Sequence, residues 1–248
     1  ALALYVAALN HRFARAPGWR DQAWFSVAAL AIAGYEALNV PVVLARSDAV
    51  VLGAARLQLL FVGAYPGAWL LHSRAQLRLP ARRWEGALAV ALAALGVAAL
   101  VPGAFFHGPV RRSAFEALGL VYAVPTTTVV ADAFLAAVVA ALGVVALRYG
   151  LAWRRGAPYA LSHFGALGLF FLLAANDALV AMGAYEGPYL FDLAVLVPVA
   201  AVGYSLTARF ADDARALARL RSRLEATVAE RTLELSRAQE ALHRAEKL

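Results

Sequence analysis

Apolar and polar positions follow one another along the chain in long blocks that are typical of membrane-spanning helices. A span needs about 20 consecutive apolar residues, and most of the apolar blocks approach that length. Basic or Gly- and Pro-containing stretches separate the blocks and predict the turns. The pattern therefore predicts seven spans, at 1–9, 22–44, 50–71, 84–101, 130–147, 159–181 and 189–206, the first being the remainder of a truncated helix.

The connector between the fourth and fifth spans differs from the other turns. Residues 105–112 are aromatic and basic, which suits a segment at the level of lipid headgroups. Residues 120–130 are rich in β-branched side chains around a central Pro-Thr. This composition predicts a short hairpin or a re-entrant piece, with an irregular connector as the alternative.

The seventh span continues without Gly or Pro through 207–213 into a charged helix. From Ala214 onward, apolar side chains recur at heptad spacing, interrupted by Arg221 and Arg231. The sequence predicts a parallel coiled coil of two helices, of modest strength; a solvated single helix or an antiparallel contact is the alternative. We expect a transmembrane domain at 1–207 and a cytoplasmic signalling helix at 208–248. The predicted seam contains Leu217, Leu224, Val228, Leu235, Ala238 and Leu242.

Composition supports an all-α, polytopic membrane protein. The chain is 62% hydrophobic and 16% charged, with mean hydropathy +0.66, whereas soluble domains are about half apolar and about a quarter charged. There is no cysteine. Disulfides, thiolate metal sites and a catalytic cysteine are therefore excluded.

The net charge of +7 comes almost entirely from arginine and follows the predicted topology. Ten arginines fall in 10–20, 72–83 and 148–156, against three in the opposite loops. The positive-inside rule then predicts an outer N-terminus and a cytoplasmic C-terminal helix. The bilayer explains the basic charge, and we expect no nucleic-acid partner. A six-span alternative, without 1–9, would place the N-terminus inside.

Polar residues within the predicted spans gather in their outer halves. Ionisable groups are costly in a bilayer and tend to be paired or functional. Glu36 and Arg56 each lie about 10 Å below the outer surface on consecutive antiparallel helices, which predicts an ion pair. The inner half offers His163 and little else, which argues against a transporter. We expect this outer group either to line a ligand pocket or to hold the helices together by mutual polar contacts. The group comprises Tyr35, Glu36, Asn39, Arg56, Asp132, Asn176, Asp177 and Asp192.

Several kinds of chemistry have no matching residues in the sequence. The only lysine is Lys247, so no span can form a retinal Schiff base. Zinc-protease and phosphate-loop motifs are absent, and the five histidines are far apart in sequence. We therefore expect no catalytic residue, no metal site and no cofactor in this segment.

The charged helix resembles a known signalling element. Residues 224–235 and 238–248, with Val228, Glu230-Arg231-Thr232 and Glu234-Leu235, are similar to the signalling helix of bacterial sensor histidine kinases. The spans, with Asn176-Asp177 and the exit 205–210, resemble the sensor modules of the seven-transmembrane diverse intracellular signalling type. The two resemblances together cover nearly the whole chain.

The resemblance implies the input half of a receptor, working as a homodimer in the bacterial inner membrane with an unknown small-molecule or lipid ligand. It places a phospho-accepting histidine and an ATP-binding domain beyond Leu248, and a response regulator as the downstream partner. His243 is not that histidine, because Arg244-Ala-Glu-Lys247 lacks the usual following Glu. Alternatives are the same module on a diguanylate cyclase, a transporter or channel with a dimerisation tail, or a membrane scaffold.

Overall fold

The computed structural model describes residues 2–115, 120–181, 184–185 and 187–245, and these form helices and one hairpin. The protein is 78% helical, which confirms the all-α class. The helices are α1 (Leu2–Phe13), α2 (Asp21–Leu44), α3 (Asp48–Gln76), α4 (Arg83–Ala98), α5 (Val129–Arg154), α6 (Ala160–Ala181), α7 (Phe191–Ala194) and α8 (Leu196–Ala245), and the strands are β1 (Arg111–Phe115) and β2 (Leu120–Val124).

Five segments are long and apolar enough to cross a membrane within the described ranges, which supports a membrane protein. Helix α1 has 12 residues and α4 has 16, so both are shorter than these five. Seven spans therefore remain a prediction, and residue 1 lies outside the described part. The five segments are Asp21–Leu44, Asp48–Gln76, Val129–Arg154, Ala160–Val180 and Phe191–Gln239.

Two helices extend beyond their predicted ends. Helix α3 continues to Gln76, past the predicted end at 71, and α5 continues to Arg154, past the predicted end at 147. The basic stretch assigned to a loop at 148–156 is thus largely helical, and that prediction is wrong. The buried positions Val145 and Tyr149 continue the helical period of α5, which shows why the helix does not stop at 147.

Helix α3 is central to the first part of the fold, because it packs against α2, α4 and α5. Its aromatic residue Trp69 is 1% exposed and meets the ring of Phe25 from α2 edge-on at 5.8 Å. On the α4 side, contact depends on small residues. A Cβ at Gly96 would lie 2.8 Å from the backbone oxygen of Leu59, so the two helices approach backbone to backbone.

The connector between α4 and α5 contains a hairpin, but it does not fold within 120–130 as predicted, because 120–124 pairs with the preceding stretch 111–115. Strands β1 and β2 pair antiparallel, with Arg111 opposite Val124 and Phe115 opposite Leu120. Thr128 then starts α5: its hydroxyl accepts from the Ala131 N–H at 3.2 Å, as an N-cap does. The hairpin tip, 116–119, lies outside the described residues.

The chain divides into two compact units, Ala1–Ala201 and Val202–Leu248. The second unit consists of the larger part of α8. Its apolar side chains at Leu217, Leu224 and Val228 are 56–67% exposed. The side chain of Leu242, also predicted in the seam, lies outside the described part of the chain, as do residues 246–248.

The approach of α3 to α4 can be tested with two glycines of the same helix. Gly96→Ala should lower the free energy of unfolding by roughly 1–3 kcal/mol, because its methyl group overlaps the backbone of α3. Gly86→Ala is the control, since a Cβ there meets nothing within 4 Å. It should raise stability by about 0.4–1 kcal/mol. Unfolding by SDS in mixed micelles measures both changes, and equal stability of the two variants would contradict the backbone contact.

Candidate functional site

An apolar cavity of about 360 Å³ lies within the first unit, between α2, α3, α5, α6 and α7. Ligand pockets commonly range from about 300 to 1,000 Å³, so this one suits a small molecule. Its wall is formed by aliphatic and aromatic side chains, and its polar members are Tyr35, Gln58 and Tyr65. The apolar part of the wall includes Ala55, Val138, Leu142, Ala174, Phe191 and Val195.

A chain of amides covers one end of the cavity. The Gln58 amide donates to the backbone oxygen of Tyr35 at 3.3 Å and also to the side-chain oxygen of Asn39. Asn39 in turn donates to the Asp192 carboxylate at 2.7 Å. These bonds connect α3 to α2, and α2 to α7, so the predicted residues Tyr35, Asn39 and Asp192 do come together.

Phe191 connects the cavity to the first turn of α7. Its ring lies edge-on to Tyr35 of α2 at 5.7 Å and to Phe170 of α6 at 5.6 Å. Phe191 and Val195 also line the cavity wall. Because Val195 lies between α7 and α8, an occupant of the cavity would touch the residue that immediately precedes the last long helix.

The predicted residues Asn176 and Asp177 hold the start of α7. The Asp177 carboxylate accepts from the backbone N–H groups of Leu190 at 2.6 Å and Phe191 at 2.8 Å. Asn176 donates to the backbone oxygen of Pro188 at 3.0 Å. A carboxylate on the first N–H groups of a helix satisfies them and favours the helix dipole. The pair therefore positions α7 and does not line the cavity.

The predicted ion pair between Glu36 and Arg56 is wrong. Among the described residues, one carboxylate oxygen of Glu36 and Nε of Arg56 are buried without a hydrogen-bond partner, and no ion pair joins the two side chains. Gln58 is the residue of α3 that faces α2. Arg56 lies two positions earlier, about 200° around a helix of 3.6 residues per turn, and so lies on another face.

Asp132 is the predicted residue that stands apart from the cavity. It is exposed in the first turn of α5 and does not line the cavity wall. A negative charge in the first turn interacts favourably with the helix dipole, and this interaction explains the position of Asp132.

A second polar group, which the sequence analysis missed, lies at the opposite ends of the same helices. We call it the basal network. Its centre is the Glu85 carboxylate, which is 1% exposed and pairs with Arg148 of α5 and, at 3.3 Å, with Arg74 of α3. Arg148 also donates to the backbone oxygen of Leu70 at 3.0 Å. The members are Asp21, His72, Ser73, Arg74, Gln76, Glu85, Arg148, Tyr149 and His163.

The histidine side of the basal network joins α3, α5 and α6. Gln76 lies 3.1 Å from Nε2 of His163 and accepts from the Tyr149 hydroxyl at 2.5 Å. The rings of Tyr149 and His163 stack at 4.6 Å, and His72 meets the backbone oxygen of Asp21 at 3.0 Å. The expectation that His163 is nearly alone in that half is therefore wrong. The missed signal was the helical period that carries α5 past 147.

The fold and the cavity define the class of the protein: an all-α protein, with five helices suited to a membrane, that encloses an apolar cavity. No protein-family model and no curated protein matches the chain. Within the described ranges, no group of three or more His, Asp or Glu side chains could hold a metal ion.

The basal network can be tested by replacing carboxylates with amides of the same shape. Glu85→Gln should lower the free energy of unfolding by roughly 3–5 kcal/mol, because two arginines then lose a buried partner. Asp48→Asn is the matched control: its pair with Arg112 is 2.9 Å long but 40–48% exposed. It should cost about 0–1 kcal/mol. SDS unfolding of the two variants checks the difference, and a Glu85→Gln protein as stable as the parent would refute the network's role.

Proposed function

We propose that the chain is the sensing input module of a bacterial sensor histidine kinase, with seven spans in the inner membrane and a cytoplasmic signalling helix at 208–248. One observation carries the proposal. The cavity wall includes Phe191 and Val195, at the start of the helical segment that continues to Ala245. A molecule in the cavity therefore contacts the element that leads to the charged, heptad-patterned helix.

The proposed signal is a small shift of α7 and the start of α8. Phe191 packs between Tyr35 and Phe170, and Asp177 fixes the backbone of its turn. An occupant that enlarges the cavity moves Phe191 against these contacts. Helix shifts of about 1–2 Å are the usual scale of such transitions. A cue in the cavity thus becomes a displacement at the beginning of the exit helix.

The second unit receives the displacement as one half of a parallel homodimer. Isolated helices gain little stability in water without a packing partner, and the exposed seam residues Leu217, Leu224, Val228 and Leu235 supply a surface for one. Arg221 and Arg231 form ion pairs along their own helix, with Glu225 and Glu234 at 2.8 Å. These pairs keep two charges near the seam in solvent, and the modest seam suits a switch between two packings.

The output domain decides between close alternatives. The same α8 pattern serves a diguanylate cyclase as well as a kinase that phosphorylates a response regulator. Sequence beyond Leu248 distinguishes the two, because a kinase requires a phospho-accepting histidine followed by an ATP-binding domain.

Transport is the second candidate, and the basal network favours it more than the sequence did. Polar groups now lie at both ends of the helices, with the amide chain at one end and the network at the other. Between them lie Phe25 and Trp69, each 1% exposed, and the Trp69 ring contacts both Tyr65 of the cavity wall and His72 of the network. This apolar layer favours a closed sensor over a continuous path. Solute uptake into proteoliposomes would favour transport instead.

Helical phase tests the proposed signalling. One to four residues are inserted after Arg221 in the receptor that carries a histidine kinase domain after Leu248. Autophosphorylation should rise and fall with insertion length, because each residue rotates the following helix by about 100°. An insertion of seven residues is the control, since it restores the heptad register. Constant activity across the series would contradict transmission through α8.

A further inference from the structure

The wall of the cavity points to a chemical class of ligand. We infer that the cavity binds a neutral, largely apolar molecule that carries one hydrogen-bond donor, such as a hydroxyl group. The inference rests on the proposed function in one respect only: this molecule is the signal that the module senses. Binding itself depends on the cavity alone.

The wall of the cavity, as far as the structure describes it, carries no charge. None of the described lining residues is Asp, Glu, Lys, Arg or His. An ionised group moved from water into such a wall loses its solvation without gaining a partner, which costs far more than a small ligand's contacts return. Charged headgroups and charged metabolites are therefore excluded from the interior of the cavity.

The side-chain amide of Gln58 uses its donors within the protein but not its acceptor. Its NH₂ group donates to the Tyr35 backbone oxygen and to Asn39. Its carbonyl oxygen accepts from no group in the described part of the chain, and it is not among the enclosed atoms. The residue lines the cavity and is 8% exposed. Gln58 therefore offers the cavity an acceptor, and a ligand with a donor satisfies it.

The positions of the other polar wall residues make the cavity asymmetric. Tyr65 lies seven positions after Gln58 on α3, about 10 Å along the helix. Its hydroxyl is enclosed and lacks a hydrogen-bond partner among the described residues. The Tyr65 hydroxyl is therefore closed to an occupant. The remaining polar wall residues, Gln58 and Tyr35, contact each other and lie at one end of the cavity. This asymmetry predicts a ligand with a polar head and an apolar body.

The volume of the cavity limits the size of the ligand. A volume of about 360 Å³ is near the lower limit for ligand pockets. It suits a molecule of one or two rings or a short chain, and it is too small for a whole phospholipid. A lipid acyl chain that entered from the bilayer would fill the apolar part but leave the Gln58 oxygen without a donor.

Three photoreactive probes of similar size separate these possibilities. They are 4-(hydroxymethyl)benzophenone, its apolar counterpart 4-ethylbenzophenone, and the anion 4-benzoylbenzoate. The full chain in lipid nanodiscs is irradiated with each, and labelled peptides are mapped by mass spectrometry. Half-saturation for the alcohol should come at a concentration about five- to tenfold lower than for the ethyl compound, the value of one hydrogen bond. The anion should not label the cavity.

Variants assign the preference to Gln58. Gln58→Leu should make the alcohol and the ethyl compound label equally. Tyr65→Phe is the matched control on the same wall and should leave the preference intact. Val138→Phe, or Ala174→Leu where the first variant fails to fold, should reduce labelling by every probe, because each fills the cavity.

Several results would overturn the inference. They are equal labelling by the alcohol and the ethyl compound in the parent protein, labelling of the cavity by the anion, or a preference that survives Gln58→Leu. Failure of the proposed function is seen separately. In that case the probes rank as expected, but kinase activity in the insertion series stays constant.

Discussion

A carboxylate that is 1% exposed needs cationic partners, and Glu85 of α4 obtains them from α3 and α5. Removing a charge from water costs several kcal/mol, and the cost is offset only where geometry and further hydrogen bonds are good. Arg148 meets this condition with the Leu70 oxygen and Ser73 as additional acceptors. The relative positions of three helices therefore depend on one carboxylate. The cavity, whose walls include α3 and α5, depends on the same arrangement.

Buried ion pairs and the chain of amides lie at opposite ends of these helices. The ion pairs of the first unit's buried interior lie in the basal network, whereas the cavity end is closed by neutral amides and by Asp192, which is tied to Asn39. Rigid packing around Trp69 lies between the two ends. This division leaves a cavity that discriminates by shape and by one acceptor, next to a short helix that Asp177 holds by its first N–H groups.

Sequence reasoning was most successful where a local pattern determines the structure. The β-branched composition of 120–130 correctly indicated extended structure, although 120–124 pairs with 111–115 and not within the stretch itself. The absence of Gly and Pro near Thr207 left α8 intact. Sequence reasoning failed where the structure depends on which face of a helix a side chain occupies. Depth alone could not show that Gln58, and not Arg56, faces α2. Similarly, Arg148 was assigned to a loop because a positive charge ended the apolar run. Its inward role follows only from the helical period and from Glu85, a distant partner in sequence.

Coupling between the cavity and the exit helix is the central claim, and one distance measurement tests it most directly. The chain has no cysteine, so Ser222→Cys gives a single spin-label site on α8. Distances between the labels of two protomers in nanodiscs are compared with and without 4-(hydroxymethyl)benzophenone, in the parent protein and in Val138→Phe. The account predicts that the probe changes the distance distribution in the parent protein and leaves the filled variant unchanged. An identical distribution at saturating probe, or the lack of any distance between protomers, would contradict it.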